Sequence, residues 1–332
     1  MRKHVVSIVV PVYCNQESVR DTYDQVRSEF DAVQDKYRYE FIFVDDGSLD
    51  GSFDVLADIR AQDSAVKVIR FTRNFGQMAA LLAGLKRATG DCAITISADL
   101  QDPSSLIPKM LEKWAAGSEI VIGSRMSRDD SFAAKWQSRI AYGLLRLSHP
   151  QMPKGGFDYV LIGRNALDTF NSVDNRNRYF QGDLLWSGYS TSFIPYHRRK
   201  RTRGKSGYTF WKKMKNFLDA ILVASYLPIR FISLIGLLIS ISGLVYALTV
   251  IVAWVFGAVP FSGWAPIIII NLIVGGMTII TLGIIGEYIW RIYDEVRKRP
   301  NYVVLEEDGS EKKSSVESPT RTTPERSKGV TG

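Results

Sequence analysis

Cysteine is scarce in this chain of 332 residues: Cys14 and Cys92 are the only two, with no Cys-x-x-Cys spacing. That argues against a disulfide framework and a thiolate metal site, and both read as buried thiols in a reducing compartment. His4, His149 and His197 are the only histidines and stand at no ligand spacing. No Gly-x-Gly-x-x-Gly follows the first apolar run, and no Gly-x-x-x-x-Gly-Lys-Ser/Thr occurs anywhere. A dinucleotide dehydrogenase and a P-loop ATPase are therefore both disfavoured. Charge is missing altogether from residues 231–286. That run is far too long for a buried core helix.

The uncharged run is broken at 257–266 by Gly-Ala-Val-Pro-Phe-Ser-Gly-Trp-Ala-Pro, a stretch rich in turn formers. It reads as two membrane-spanning helices, 231–256 and 265–289, joined by a tight loop. Between Leu184 and Leu218 there are nine Lys or Arg and no acid, and Arg291, Arg297, Lys298 and Arg299 follow the second helix. The loop between the helices is uncharged. By the positive-inside rule both ends face the cytoplasm, and basic segments beside a membrane attract anionic lipid. No nucleic-acid motif accompanies the net charge of +8, so nucleic acid is not expected as a partner. Residues 208–228 alternate aromatics, lysines and aliphatics at helical spacing and read as an interfacial helix. Gly275, Gly276, Gly283 and Gly286 offer surfaces for close helix packing, consistent with a homo-oligomer. Residues 306–332 are polar and read as a disordered tail.

The polar region before the hairpin alternates short β-branched runs with amphipathic segments. Strands are expected at 5–10, 41–44, 66–71, 93–97 and 120–123, and helices near 19–30, 52–61, 77–88 and 106–114. The run at 5–10 is too short for a signal peptide. This order implies an α/β fold with a mostly parallel, Rossmann-like sheet, whose ligands bind beyond the carboxyl ends of the strands. Each expected strand is followed by polar, glycine-bearing or acidic sequence. Acids after the second and fourth strands suit a divalent cation that neutralises phosphate. Asp99 and Gln101 could each supply it an oxygen. Taken alone, Asp-Leu-Gln-Asp-Pro at 99–103 reads equally as a turn with Asp102 capping a helix.

The ordered set of motifs resembles family 2 glycosyltransferases of GT-A fold, and within them the polyisoprenyl-phosphate glycosyltransferases, the group that includes dolichol-phosphate-mannose synthase and bacterial two-helix relatives. The matching pieces are Val-Pro-Val-Tyr at 10–13, Asp-Asp-Gly-Ser at 45–48, Arg-Asn-Phe-Gly at 73–76, Ala-Asp-Leu-Gln-Asp-Pro at 98–103 and Gly-Ser-Arg at 123–125. Pro-Lys-Gly-Gly-Phe-Asp at 153–158, Tyr-x-Arg-x-x-Arg-x-x-Gly-Lys-Ser at 196–206 and Gly-Glu-Tyr at 286–288 continue the series. Two positions depart from the pattern. Ser97 stands where many relatives carry Asp, and Cys14 where many carry Asn.

The resemblance implies a nucleotide-sugar donor held by Pro11, Tyr13, Glu17, Asp45 and Asp46, with Asp99 and Gln101 holding Mg²⁺ or Mn²⁺ on the diphosphate. It implies a polyprenyl phosphate acceptor met by Arg125, Arg139, Arg201 and Lys205, and Asp158 at the reaction centre as base or orienting group. Arg198 reads as part of a lipid-facing basic surface. The expected division is a cytoplasmic GT-A domain over 1–207, the interfacial region 208–228, two transmembrane helices within 229–290, a juxtamembrane segment 291–305 and the tail 306–332. The expected setting is the bacterial inner membrane, with a tetramer as the favoured assembly. Glucose from UDP-glucose is the leading donor. Mannose, aminoarabinose and N-acetylhexosamine are the alternatives, as is a non-catalytic membrane scaffold.

Overall fold

The computed structural model describes residues 3–125, 152–153, 156–173, 178–198, 227–256 and 265–307. Among the described residues eight strands form one sheet: β1 (His4–Val12), β2 (Tyr37–Asp45), β3 (Val66–Phe71), β4 (Cys92–Thr95), β5 (Ile120–Arg125), β6 (Val160–Gly163), β7 (Thr191–Tyr196) and β8 (Val304–Glu307). Their spatial order is β7-β5-β6-β4-β1-β2-β3-β8. Strands β3, β2, β1 and β4 run parallel, as the sequence predicts. β6 lies antiparallel between β4 and β5, and β8 is antiparallel to β3 at the edge.

Alternation along β1 decides which face each residue serves. Val6, Ile8, Val10 and Val12 join the core formed with α1 (Val19–Asp31), α2 (Ser52–Gln62) and α4 (Ile107–Ala115). Val9 joins the opposite core, with α3 (Gln77–Arg87), α5 (Arg164–Ser172) and α6 (Phe180–Trp186). Because β1 sends its chain to β2 on one side while β4 returns on the other, the sheet has a switch point at the carboxyl ends of β1 and β4. That is where such folds open a ligand crevice.

The two apolar helices are α7 (Leu227–Val255) and α8 (Ala265–Val296), the latter running past the expected end at 289. Both contain a stretch long and apolar enough to cross a membrane. Glu287 pairs with Arg291 one turn on, at 3.1 Å. Among the described residues, and apart from the helix's own backbone and chain neighbours, nothing lies within 4 Å of where a Cβ would stand on Gly275, Gly276, Gly283 or Gly286.

Four readings change. Cys92 is buried as expected, but Cys14 is exposed, on a backbone with φ of 52°. Asp102 does not cap the turn that follows it; no side chain caps that turn. Arg198 turns toward Asp102, its Nε 3.9 Å from Oδ1. Glu306 and Glu307, assigned from composition to the tail, belong to strand β8. Of the expected interfacial helix at 208–228, residues 208–226 lie outside the described residues, and 227–228 open α7.

Candidate active site

The loops that leave β1, β2 and β4 are tied into one floor by side chains that the strand ends supply. Asn15 Oδ1 accepts from the Tyr13 amide at 3.0 Å, and Ser48 Oγ accepts from the Cys14 amide at 3.0 Å. The Asn15 amide donates to Ser52 Oγ at 2.8 Å. Ser18 sits where a helix cap would be, but its hydroxyl donates across to Ala98 O at 2.7 Å, reaching the loop after β4.

Asp45 and Asp46 are both buried. Asp45 Oδ1 accepts from the Ser48 amide at 3.0 Å, and its Oδ2 faces Arg70 Nε at 3.6 Å. Asp46 takes the amides of Phe75 at 2.6 Å and Gly76 at 2.9 Å. Burial raises the Asp46 carboxyl above its usual range, against those two hydrogen bonds. The expected nucleoside acids therefore carry the shape of the floor, and Asp46 fastens the 73–76 loop to it. Gly47 is required at this closure. Its φ is +66°, and a Cβ there would stand 2.5 Å from the Arg73 carbonyl carbon. Of the remaining expected donor contacts, Tyr13 and Glu17 are exposed and Pro11 is half-buried.

A second network runs from Asp99 to Asp158. Ser97 Oγ lies 2.7 Å from Asp99 Oδ1 and 2.8 Å from Asp102 Oδ2. The Gln101 amide donates to Asp99 Oδ1 at 3.2 Å. Tyr196 donates its hydroxyl to Asp102 Oδ1 at 2.7 Å and accepts from Arg125 Nε at 3.4 Å. Arg125 Nη2 donates to Asp158 Oδ2 at 2.8 Å. Gln181 Nε2 holds Phe157 O at 2.7 Å and approaches Asp158 Oδ1 at 3.5 Å.

Burial divides the Arg125–Asp158 pair unequally: the guanidinium side chain is 6% exposed and the carboxylate 41%. Burial alone would lower the Arg125 pKa, but Asp158 and Tyr196 outweigh it and hold the guanidinium charged. Burial, then Asp102, pushes the Tyr196 phenol above its ordinary range, so it stays a donor.

The residues at Asp99 fit a hard divalent cation. Two carboxylates converge on one hydroxyl that has a single hydrogen to give, and the side chains of Asp99, Ser97 and Gln101 each offer an oxygen. Among the described residues no group of three or more His, Cys, Asp or Glu could hold an ion. Further ligands would thus come from Gln101 and from substrate phosphate.

The structure places Pro11, Tyr13, Glu17, Asp45, Asp46, Asp99, Gln101 and Arg125 at the carboxyl ends of the strands or in the loops that follow them, and Asp158 just before β6, whose antiparallel direction brings its amino end to the same edge. Arg139, Arg201 and Lys205 lie outside the described residues. Asp102, Ser97, Tyr196 and Gln181 were not assigned site roles from sequence. Asp102 and Tyr196 sit inside matched motifs, and Ser97 stands directly before one, where many relatives carry Asp; those are the signals that could have flagged them. Gln181 sits in none.

Glycosyl transferase family 2 matches residues 7–202, and the chain belongs to that family. The glycosyltransferase YkcC of Bacillus subtilis is 36% identical over 94% of this chain and 97% of its own length. The SfII prophage-derived bactoprenol glucosyl transferase of Shigella flexneri is 36% identical over 90% and 97%. A prophage bactoprenol glucosyl transferase homolog of Escherichia coli is 33% identical over 90% and 98%. Among solved structures, glucosyl-3-phosphoglycerate synthase of Mycobacterium tuberculosis with Mn²⁺, UDP and phosphoglyceric acid matches 67% of this chain and 77% of its own. It does so at 16% identity and a TM-score of 0.49, too distant to carry a residue role.

Proposed function

We propose that this glycosyltransferase moves a sugar, glucose from UDP-glucose being the favoured donor, onto polyprenyl phosphate at the cytoplasmic face of a bacterial inner membrane. The observation that carries the reading is the unbroken network from Asp99 through Ser97, Asp102, Tyr196 and Arg125 to Asp158. It joins an oxygen-rich site suited to a divalent cation, and through it to a diphosphate, to an exposed carboxylate held by arginine. Relatives aligned over 90% of the chain and named bactoprenol glucosyl transferases support the acceptor and the sugar. The two apolar helices support a membrane anchor.

In this reaction an acceptor phosphate oxygen attacks the anomeric carbon. The bond from that carbon to the nucleoside diphosphate breaks, and the configuration inverts. The acceptor phosphate is largely dianionic at neutral pH, so little base assistance is needed. Mg²⁺ or Mn²⁺ at Asp99 and Gln101, when bound, offsets charge that builds on the leaving diphosphate. Asp158, fixed by Arg125 and Gln181, orients the reacting groups. Arg139, Arg201 and Lys205 are proposed to meet the acceptor phosphate, arginine offering a fixed fork of donors. Tyr13 and Glu17 are proposed to contact the nucleoside from the open side of the floor. Both chain ends face the cytoplasm, and the anchored chain assembles as a homo-oligomer, with a tetramer favoured.

The test is a donor panel with purified full-length protein and undecaprenyl phosphate. Label should pass from UDP-glucose into a lipid-extractable product. Label transferred only from another nucleotide sugar would change the donor and keep the reaction. No lipid-linked product from any donor would overturn the reading.

A further inference from the structure

We propose that the segment after the second apolar helix reaches back to the catalytic sheet and positions the 73–76 loop, with Tyr302 as the positioning residue. The consequence for donor binding rests on the glycosyl-transfer reading above; the positioning of the loop does not.

Strand β8 pairs with β3 through Ile69↔Glu307, Arg70↔Glu306 and Phe71↔Val304, with a register shift between Arg70 and Phe71. Pairing alone would only blunt a sheet edge. The contacts go further. The Thr72 amide donates to Val303 O at 3.1 Å, which carries the pairing one residue past the end of β3. Tyr302, outside β8, stacks on Phe71 with ring centroids 4.9 Å apart and planes 12° apart. Phe71 in turn meets Phe75 edge-on at 5.8 Å and 89°. Phe75 belongs to the loop, and its amide, with that of Gly76, is held by buried Asp46.

The same segment also holds the far end of the helix that leaves the loop. Arg87, the last residue of α3, donates to both carboxylate oxygens of Glu307, with Nη2 to Oε2 at 2.7 Å. Its Nη1 donates to the Tyr302 hydroxyl at 3.3 Å. Helix α3 starts at Gln77, directly after the loop. The strand entering the loop and the helix leaving it are therefore both fastened to one short piece of chain. That piece begins within a few residues of the end of α8 at Val296. The loop that closes over Asp45 and Asp46 is thus built partly by sequence on the other side of the apolar hairpin.

The experiment is hydrogen exchange on the full chain in nanodiscs, paired with transfer kinetics. In Tyr302→Ala the Phe75 and Gly76 amides should exchange ~10-fold faster, the size expected from loss of one aromatic pair, with β1 and β4 unchanged. The KM for the nucleotide sugar should rise by a similar factor while kcat holds. Tyr302→Phe keeps the ring, loses only the bond from Arg87, and should restore both readouts. Tyr302→Leu serves the same comparison should the alanine variant not fold. Unchanged exchange at Phe75 and Gly76 would overturn the proposal. So would a uniform rise across β1 to β4, which would mean simple edge protection. Faster loop exchange in a protein that transfers no sugar would refute the reaction and leave the positioning standing.

Discussion

Replacing Tyr196 with Phe removes one oxygen from the middle of the network and leaves the packing in place. The ring still meets Tyr159 edge-on at 5.9 Å, so no cavity opens. What disappears is a 2.7 Å hydrogen bond to a buried carboxylate, Asp102, and a long 3.4 Å bond from Arg125. A hydrogen bond to a charged group contributes roughly 1.5–3 kcal/mol, and the long contact adds little. Tyr196→Phe should therefore cost about 2 kcal/mol, or about 4–8 °C in melting temperature for a domain of this size. Asp102 must then draw harder on Ser97, whose one hydroxyl hydrogen already serves two acids. Asp99 loses that donor, so donor kcat/KM should fall ~10-fold, about 1.4 kcal/mol. Because Tyr196 stays protonated well above neutral pH, the defect should be flat from pH 6 to pH 9, as read by thermal denaturation and transfer kinetics. An unchanged melting temperature together with unchanged kinetics would refute the network.

Other expectations follow from single contacts. Asp158→Asn and Arg125→Lys should each lower kcat by ~10²-fold while nucleotide binding, measured by calorimetry, stays near wild type, since both are proposed to act where the sugar is transferred. Gly47→Ala should destabilise the fold by about 2 kcal/mol or more in denaturant titration, because its φ of +66° and the Arg73 backbone leave no room for a Cβ. Glu40 is buried, which acts to raise its pKa, yet Lys67, Ser7 and Thr89 outweigh that and hold it below the ordinary carboxyl value. Its stabilisation is present above the unfolded pKa of about 4.3 and is lost as pH falls through the lower folded value. Lys67 is 43% exposed, so Glu40→Gln should cost only ~1–2 kcal/mol at pH 7. The gap should close below about pH 4 in urea titrations.

The parallel half of the sheet was legible because its strands are β-branched runs, each ending in its own loop motif. Strand 66–71 was placed to the residue. The strands that sequence reading missed share physical causes. β6 is four residues long and buried throughout, so it offers no alternation to read. β7 contains Pro195, which demotes a run to an edge, and an edge is where it lies. β8 ends in two glutamates and takes its partner from β3, far back in the chain.

The candidate site was legible where a motif marks it, as with Asp99, Asp158 and Arg125, which the fold joins in one hydrogen-bond network. It was opaque where the role arises only from folding. Asp46 reads from its motif as a nucleoside contact, and the fold adds a role the motif does not show: its carboxylate accepts from two loop amides 29 and 30 residues away. Ser97 looked like a loss relative to the Asp of relatives. It instead supplies the hydroxyl that links Asp99 to Asp102, so the departure alters the donor set without breaking the network.

The central claim is that Asp99 anchors a cation-assisted transfer to a lipid phosphate. It is tested most directly by following radiolabel from UDP-glucose into undecaprenyl phosphate, comparing wild type with Asp99→Ala, each with and without a chelator. The account predicts a lipid-linked product from wild type that a chelator abolishes and Mg²⁺ or Mn²⁺ restores, and almost none from the variant. Label reaching the lipid at wild-type rates in Asp99→Ala, or in the presence of chelator, would contradict it.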